Sequence, residues 1–109
     1  MTRAGPPAPP TLKIVTQYWR GETRVCEFAK SDLLLDICIS SSKDPVGEWC
    51  IEARNGRDSG ARISERAATR TAALTAVASA WVERGPALGL PTLDWEVVRT
   101  ALRTVGALD

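Results

Sequence analysis

The chain has 109 residues, of which 44% are hydrophobic and 25% charged, and its formal net charge is +1. That length fits one domain with a core of its own, needing no disulfide or metal staple. The near-neutral balance excludes a global field that would draw the protein onto nucleic acid or an anionic membrane, so any charge-driven binding has to come from a local patch.

No apolar run approaches the roughly 18 residues a membrane-spanning helix requires. The first ten residues, MTRAGPPAPP, hold no apolar segment of the secretory type. Such a proline-rich stretch is expected to be a disordered tail ahead of a single α+β domain over residues 11–109. A cytoplasmic location follows. Arginine outnumbers lysine and alanine is abundant, which reads as the bias of a GC-rich bacterial genome.

From Leu12 to Arg20 (LKIVTQYWR) the chain is rich in β-branched and aromatic residues, and after Gly21-Glu22 comes a second such run, Thr23 to Ala29. The pair reads as two strands joined by a tight turn. Lys30-Ser31-Asp32 forms the next turn. Leu33 to Ser40 (LLLDICIS) is the strongest strand, with Leu33, Leu35, Ile37 and Ile39 on one face and Leu34, Asp36, Cys38 and Ser40 on the other. A loop containing Pro45 leads to Glu48–Arg54, where Trp49, Ile51 and Ala53 alternate with Glu48, Cys50, Glu52 and Arg54. Asn55-Gly56 to Gly60 then stops the sheet.

Beyond Gly60 the period becomes helical. Ser64 reads as an N-cap and the helix as extending to Arg84, closed by Gly85-Pro86, with Ala73, Leu74, Val77, Ala80 and Trp81 as its apolar stripe. Thr92 or Asp94 caps a second helix over about residues 93–105 that buries Trp95, Val98, Ala101, Leu102 and Val105 and ends at Gly106. The expected fold is α+β, an antiparallel meander of three to four strands followed by two helices packed on one face, in the order ββββαα.

The sequence has no histidine and three cysteines. A general base near neutral pH, the commonest metal ligand and the usual partner of a cysteine nucleophile are therefore missing. The spacing of Cys26, Cys38 and Cys50 matches no zinc finger or ribbon, and Gly56 to Gly60 lacks the Gly-Lys-Ser/Thr of a phosphate-binding loop. We expect neither catalysis nor a cofactor or metal. A turn centred on Asp44 would set Cys38 opposite Cys50, and one centred on Ser31 would set Cys26 opposite Asp36, all as free thiols.

Two surfaces remain as candidates. Leu34, Cys38 and Cys50, with Cys26, Phe28 or Trp19 beside them, would form an open, mixed sheet face suited to a protein partner or a second copy of the chain. The alternative is a nucleic-acid or phosphate site at the start of the first helix. There Arg62, Arg66 and Arg70 recur at a spacing of four beside the Ser64 hydroxyl and the free N–H groups of the helix end. The stretch Ser64-Glu65-Arg66-Ala67-Ala68 with Ala72-Ala73 resembles the last helix of double-stranded-RNA-binding domains, which implies phosphate contacts there. Glu65 and Thr69 stand where that family has lysines, and no helix precedes the strands, so no family is assigned. Interaction through the sheet face is the leading expectation.

Overall fold

A computed structural model describes residues 11–31, 33–43, 46–56 and 61–109. The expected proline-rich tail and the loop proline Pro45 lie outside the described residues. Five strands run as a meander: β1 (Lys13–Arg20), β2 (Thr23–Lys30), β3 (Leu33–Lys43), β4 (Val46–Asn55) and β5 (Arg62–Ala67). Every neighbouring pair is antiparallel, and the spatial order equals the chain order. Two helices follow, α1 (Arg70–Arg84) and α2 (Trp95–Thr104), linked through a short 3-10 turn at Pro86–Leu88. The α+β class and the helices after the sheet agree with the sequence reading. The strand count does not: the described residues form five strands, not three to four.

The fifth strand comes from residues read as the first helix. In Arg62–Ala67 the side chains alternate, with Ile63 buried and Arg62, Ser64 and Arg66 exposed, and the segment pairs with β4 from Arg54↔Arg62 to Trp49↔Ala67. Ser64 is therefore a strand residue. The N-cap is Thr69, in extended conformation, whose hydroxyl accepts the Ala72 N–H at 3.1 Å. The resemblance to an RNA-binding helix fails at the same place, because Ser64 to Ala67 are not helical.

Register decides which side chains meet the helices. Lys30 pairs with Leu33, so Cys26 lies opposite Ile37 and Phe28 opposite Leu35. The sequence reading had Cys26 opposite Asp36, one residue away. A one-residue slip turns a whole strand over, so Cys26 and Phe28 belong to the helix-side core and not to the open face. Both are fully buried. Leu35, Ile37, Ile51, Ala53 and Ile63 complete the sheet side of the core, and Leu74, Val77, Trp81, Val98 and Leu102 close it from the helices. Trp81 and Trp95 meet edge to face at 5.5 Å, and the Trp81 indole N–H donates to the Pro91 carbonyl at 2.8 Å. Asp94 caps α2 by accepting from the Glu96 and Val97 N–H groups. Cys38 pairs with Glu52, and Cys50 with Ser40, so the two cysteines share a face but are offset rather than opposed. No described helix is long and apolar enough to cross a membrane.

This register can be tested by two serines. Cys26→Ser places a hydroxyl in an apolar core and should cost about 1–3 kcal/mol in denaturant unfolding. Cys38→Ser, on the half-exposed face, should stay under about 1 kcal/mol. The reverse order would contradict the assigned register.

Candidate interaction site at the first strand

The helices do not cover the sheet evenly. α1 packs on β4 and β5, while α2 reaches only part of β1. Residues 15–20 of β1 are exposed, and β1 is an edge strand with no neighbour beyond it among the described residues. Val15 forms a bulge between the pairs Ile14↔Phe28 and Thr16↔Glu27. At the far end the two-residue turn Gly21-Glu22 joins the pair Arg20↔Thr23, with Gly21 at φ 63. A left-handed first turn position is the one glycine serves in a tight hairpin of this kind. In such a hairpin the closing pair is hydrogen-bonded and pairs then alternate. Arg20, Tyr18 and Thr16 thus spend their backbone groups on β2, while Gln17 and Trp19 turn theirs outward.

Trp19 is 65% exposed. It stands on the helix-side face, opposite Arg24, and not on the open face where the sequence reading put it. Beside it opens a groove of about 510 Å³ between Trp19 and Trp49, floored by Arg24 and Ile39 and bounded on the helix side by Arg70 and Ala107. Two arginines hold this end together. The Arg24 guanidinium donates to the Val105 carbonyl at 2.7 Å, the Gly106 carbonyl at 3.3 Å and the Gln17 side-chain oxygen at 3.1 Å. It so ties the chain after α2 to β1 and β2. Arg70 lies over the Trp49 ring, 4.9 Å from its centre, and donates through Nε to Asp109 at 2.9 Å. The Arg70 backbone N–H, at the start of α1, donates to the other Asp109 oxygen at 2.6 Å.

The four polar residues of the expected anion site are not brought together. Arg62, Ser64 and Arg66 share the outward face of β5, whereas Arg70 begins α1. Arg62 pairs with Glu52 at 3.5 Å, and the Ser64 hydroxyl lies 3.4 Å from the Cys50 sulfur. The anion at the start of α1 is the chain's own Asp109.

The open face carries Leu34, Cys38 and Cys50 as expected, but between them runs a ladder of charges. Asp36, only 6% exposed, pairs with Arg54 at 2.9 Å, and Glu52 with Arg62. Leu34 is 37% exposed and Cys38 and Cys50 are half-buried, while Val25, seated between Tyr18 and Cys38 on this face, is fully buried, so little apolar surface is left wet between the charges. Burial foremost, with Glu52 nearby, pushes the Cys38 thiol above its ordinary value, and burial does the same to Cys26. Neither is a thiolate nucleophile at neutral pH. Among the described residues no three acidic or cysteine side chains cluster to hold a metal ion.

Sequence reasoning singled out Trp19, from an aromatic at a strand end beside a turn, and Arg70, from its spacing of four with Arg62 and Arg66, but it missed Arg24, Asp109 and the contact of Arg70 with Trp49. Comparison with known protein families, curated proteins and solved structures finds no match, so the function has to be argued from this geometry.

The Arg70 hydrogen bonds, side chain first and backbone N–H next, hold the Asp109 carboxyl below its usual value of 3.8. A depressed carboxylate stabilises the docked segment fully above that value and loses its effect as the pH falls through the lower, folded one. The protection of the Ala107 amide, which donates to the Leu102 carbonyl at 2.8 Å, taken relative to its intrinsic exchange rate at each pH, should therefore fall on acidification below about pH 4. Asp109→Asn should lower it at neutral pH and remove the step. Protection indifferent to both would show that the ion pair does not hold this segment.

Proposed function

We propose that this chain is a non-catalytic protein-interaction module that accepts an extended protein segment along the β1 edge, with Trp19 as the anchor. The observation that carries this reading is the 65% exposure of Trp19 on an unpaired strand edge beside the Trp49–Arg70 groove. Trp81 and Trp95 are buried and Trp49 is half-buried under Arg70. Of the four tryptophans Trp19 alone keeps most of its surface wet, a costly exposure for so large an apolar side chain. Edge addition supplies affinity through main-chain hydrogen bonds and specificity through side-chain pockets, and buried aromatics dominate the energy of such contacts.

Two comparisons favour this surface over those expected from the sequence. The open face offers a paired-charge ladder that a partner would have to desolvate. Polyanion binding would first have to break Arg62–Glu52 and Arg70–Asp109. The three free thiols suit a reducing cytoplasm.

Selection of binders from a displayed library of random peptides tests the reading. Selected peptides should shift the NMR signals of β1 and the groove, and Trp19→Ala should weaken them at least tenfold, the loss of a hot-spot aromatic being worth about 2 kcal/mol or more. Binders that map to Leu34, Cys38 and Cys50 and ignore Trp19→Ala would overturn it in favour of the open face.

A further inference from the structure

We infer that the segment seated on β1 is β1 of a second copy, antiparallel about a two-fold axis through Tyr18. This rests on the reading of β1 as a strand-accepting edge and names its occupant. The usable stretch of edge is short, ending at the Val15 bulge on one side and at the Gly21-Glu22 turn on the other. Within it, Gln17 and Trp19 carry the outward backbone groups. An antiparallel pair joins such residues only to one another. Setting Gln17 against the partner's Trp19, and Trp19 against the partner's Gln17, places Tyr18 opposite the partner's Tyr18 and Thr16 opposite the partner's Arg20. Sliding the copies by one pair either way drives the bulge or the turn into the ladder. The bulge, commonly a guard against edge pairing, here only marks where pairing stops.

Charge supports the same register. Arg20 and Glu27 both lie on the outward face, and neither has an ion-pair partner among the described residues. Glu27 is the β2 neighbour of Thr16. In the two-fold register Arg20 faces the partner's Thr16, with the partner's Glu27 directly behind, about 10 Å away at the backbone, within the combined reach of the two side chains. Each copy thus contributes one unpaired cation and one unpaired anion, placed to meet the opposite charge of the other. No like charges face each other across the seam. On the helix side, Trp19 covers the partner's Gln17, whose amide oxygen is fixed by Arg24, and the exposed indole loses its contact with water. An isologous contact of this kind closes on itself as a dimer, and the two sheets become one.

Three single cysteines, Gln17→Cys, Tyr18→Cys and Trp19→Cys, each made with Cys38→Ala and Cys50→Ala, read the register under mild oxidation. Tyr18→Cys should form disulfide dimers nearly completely and the other two far less, because only Tyr18 meets its own copy at the close spacing of a non-hydrogen-bonded pair. Sedimentation should give a dimer for the parent chain. Arg20→Glu should raise its dissociation constant at least tenfold, and Arg20→Glu with Glu27→Arg should restore it. A parent chain that stays monomeric at high concentration, yet binds selected peptides through Trp19, overturns the self-pairing alone. A monomer whose peptides ignore Trp19 overturns the edge reading with it. A dimer that cross-links poorly at residue 18 and dissociates on Leu34→Glu overturns the inference in favour of the open face.

Discussion

Between Lys30 and Leu33 the chain reverses so tightly that the two residues pair directly, with Ser31 held at φ 52. Everything on the sheet depends on that spacing. It sets Cys26, Phe28, Leu35 and Ile37 in one layer, and the helices have a continuous apolar surface to cover. One residue more would turn β2 over, burying Glu27 and exposing Phe28. The tight turn at Gly21-Glu22 carries the same phase on to β1, so that Trp19 shares a face with Arg24 and Ile39.

The phase also explains why one end of that face stays open. α1 begins only at Arg70, because residues that would have lengthened it are spent in β5. α2 meets β1 but leaves its exposed second half bare. Trp19, Trp49, Arg24 and Arg70 are what remains at the uncovered end. The arginines there are braces, each holding part of the segment after α2. Their charge is satisfied inside the chain, which leaves aromatic surface and unpaired backbone as the binding resources of this end. Those are the resources of strand addition, not of anion capture.

The first four strands and both buried helix stripes were legible because their patterns are strong and local. LLLDICIS alternates without interruption, and Ala73, Leu74, Val77, Ala80 and Trp81 recur at helical spacing. β5 was not legible. RISERA offers only one large apolar residue, Ile63, and its arginines and alanine also satisfy a helical period, so nothing short of the pairing with β4 separates the two. The helix start moved from Ser64 to Thr69 for that reason, and the arginine stripe came apart with it. Cys26 was misplaced by a single residue of turn length, a difference no composition records. Trp19 was legible as an exposed aromatic, but its face was not, since that again depends on register. Arg24 with Val105 and Arg70 with Asp109 are far apart in sequence and meet only through the fold.

Two residues of β1, Gln17 and Trp19, turn their backbone groups away from the sheet. Amide hydrogen exchange at Gln17 and Trp19, followed against protein concentration, tests pairing through this edge most directly. Thr16, Tyr18 and Arg20 donate within the sheet and should be protected at every concentration. Gln17 and Trp19 should exchange freely in dilute solution and become protected as copies associate. Protection at those two amides that does not change with concentration, or that appears instead around Leu34 and Cys38, would contradict the account.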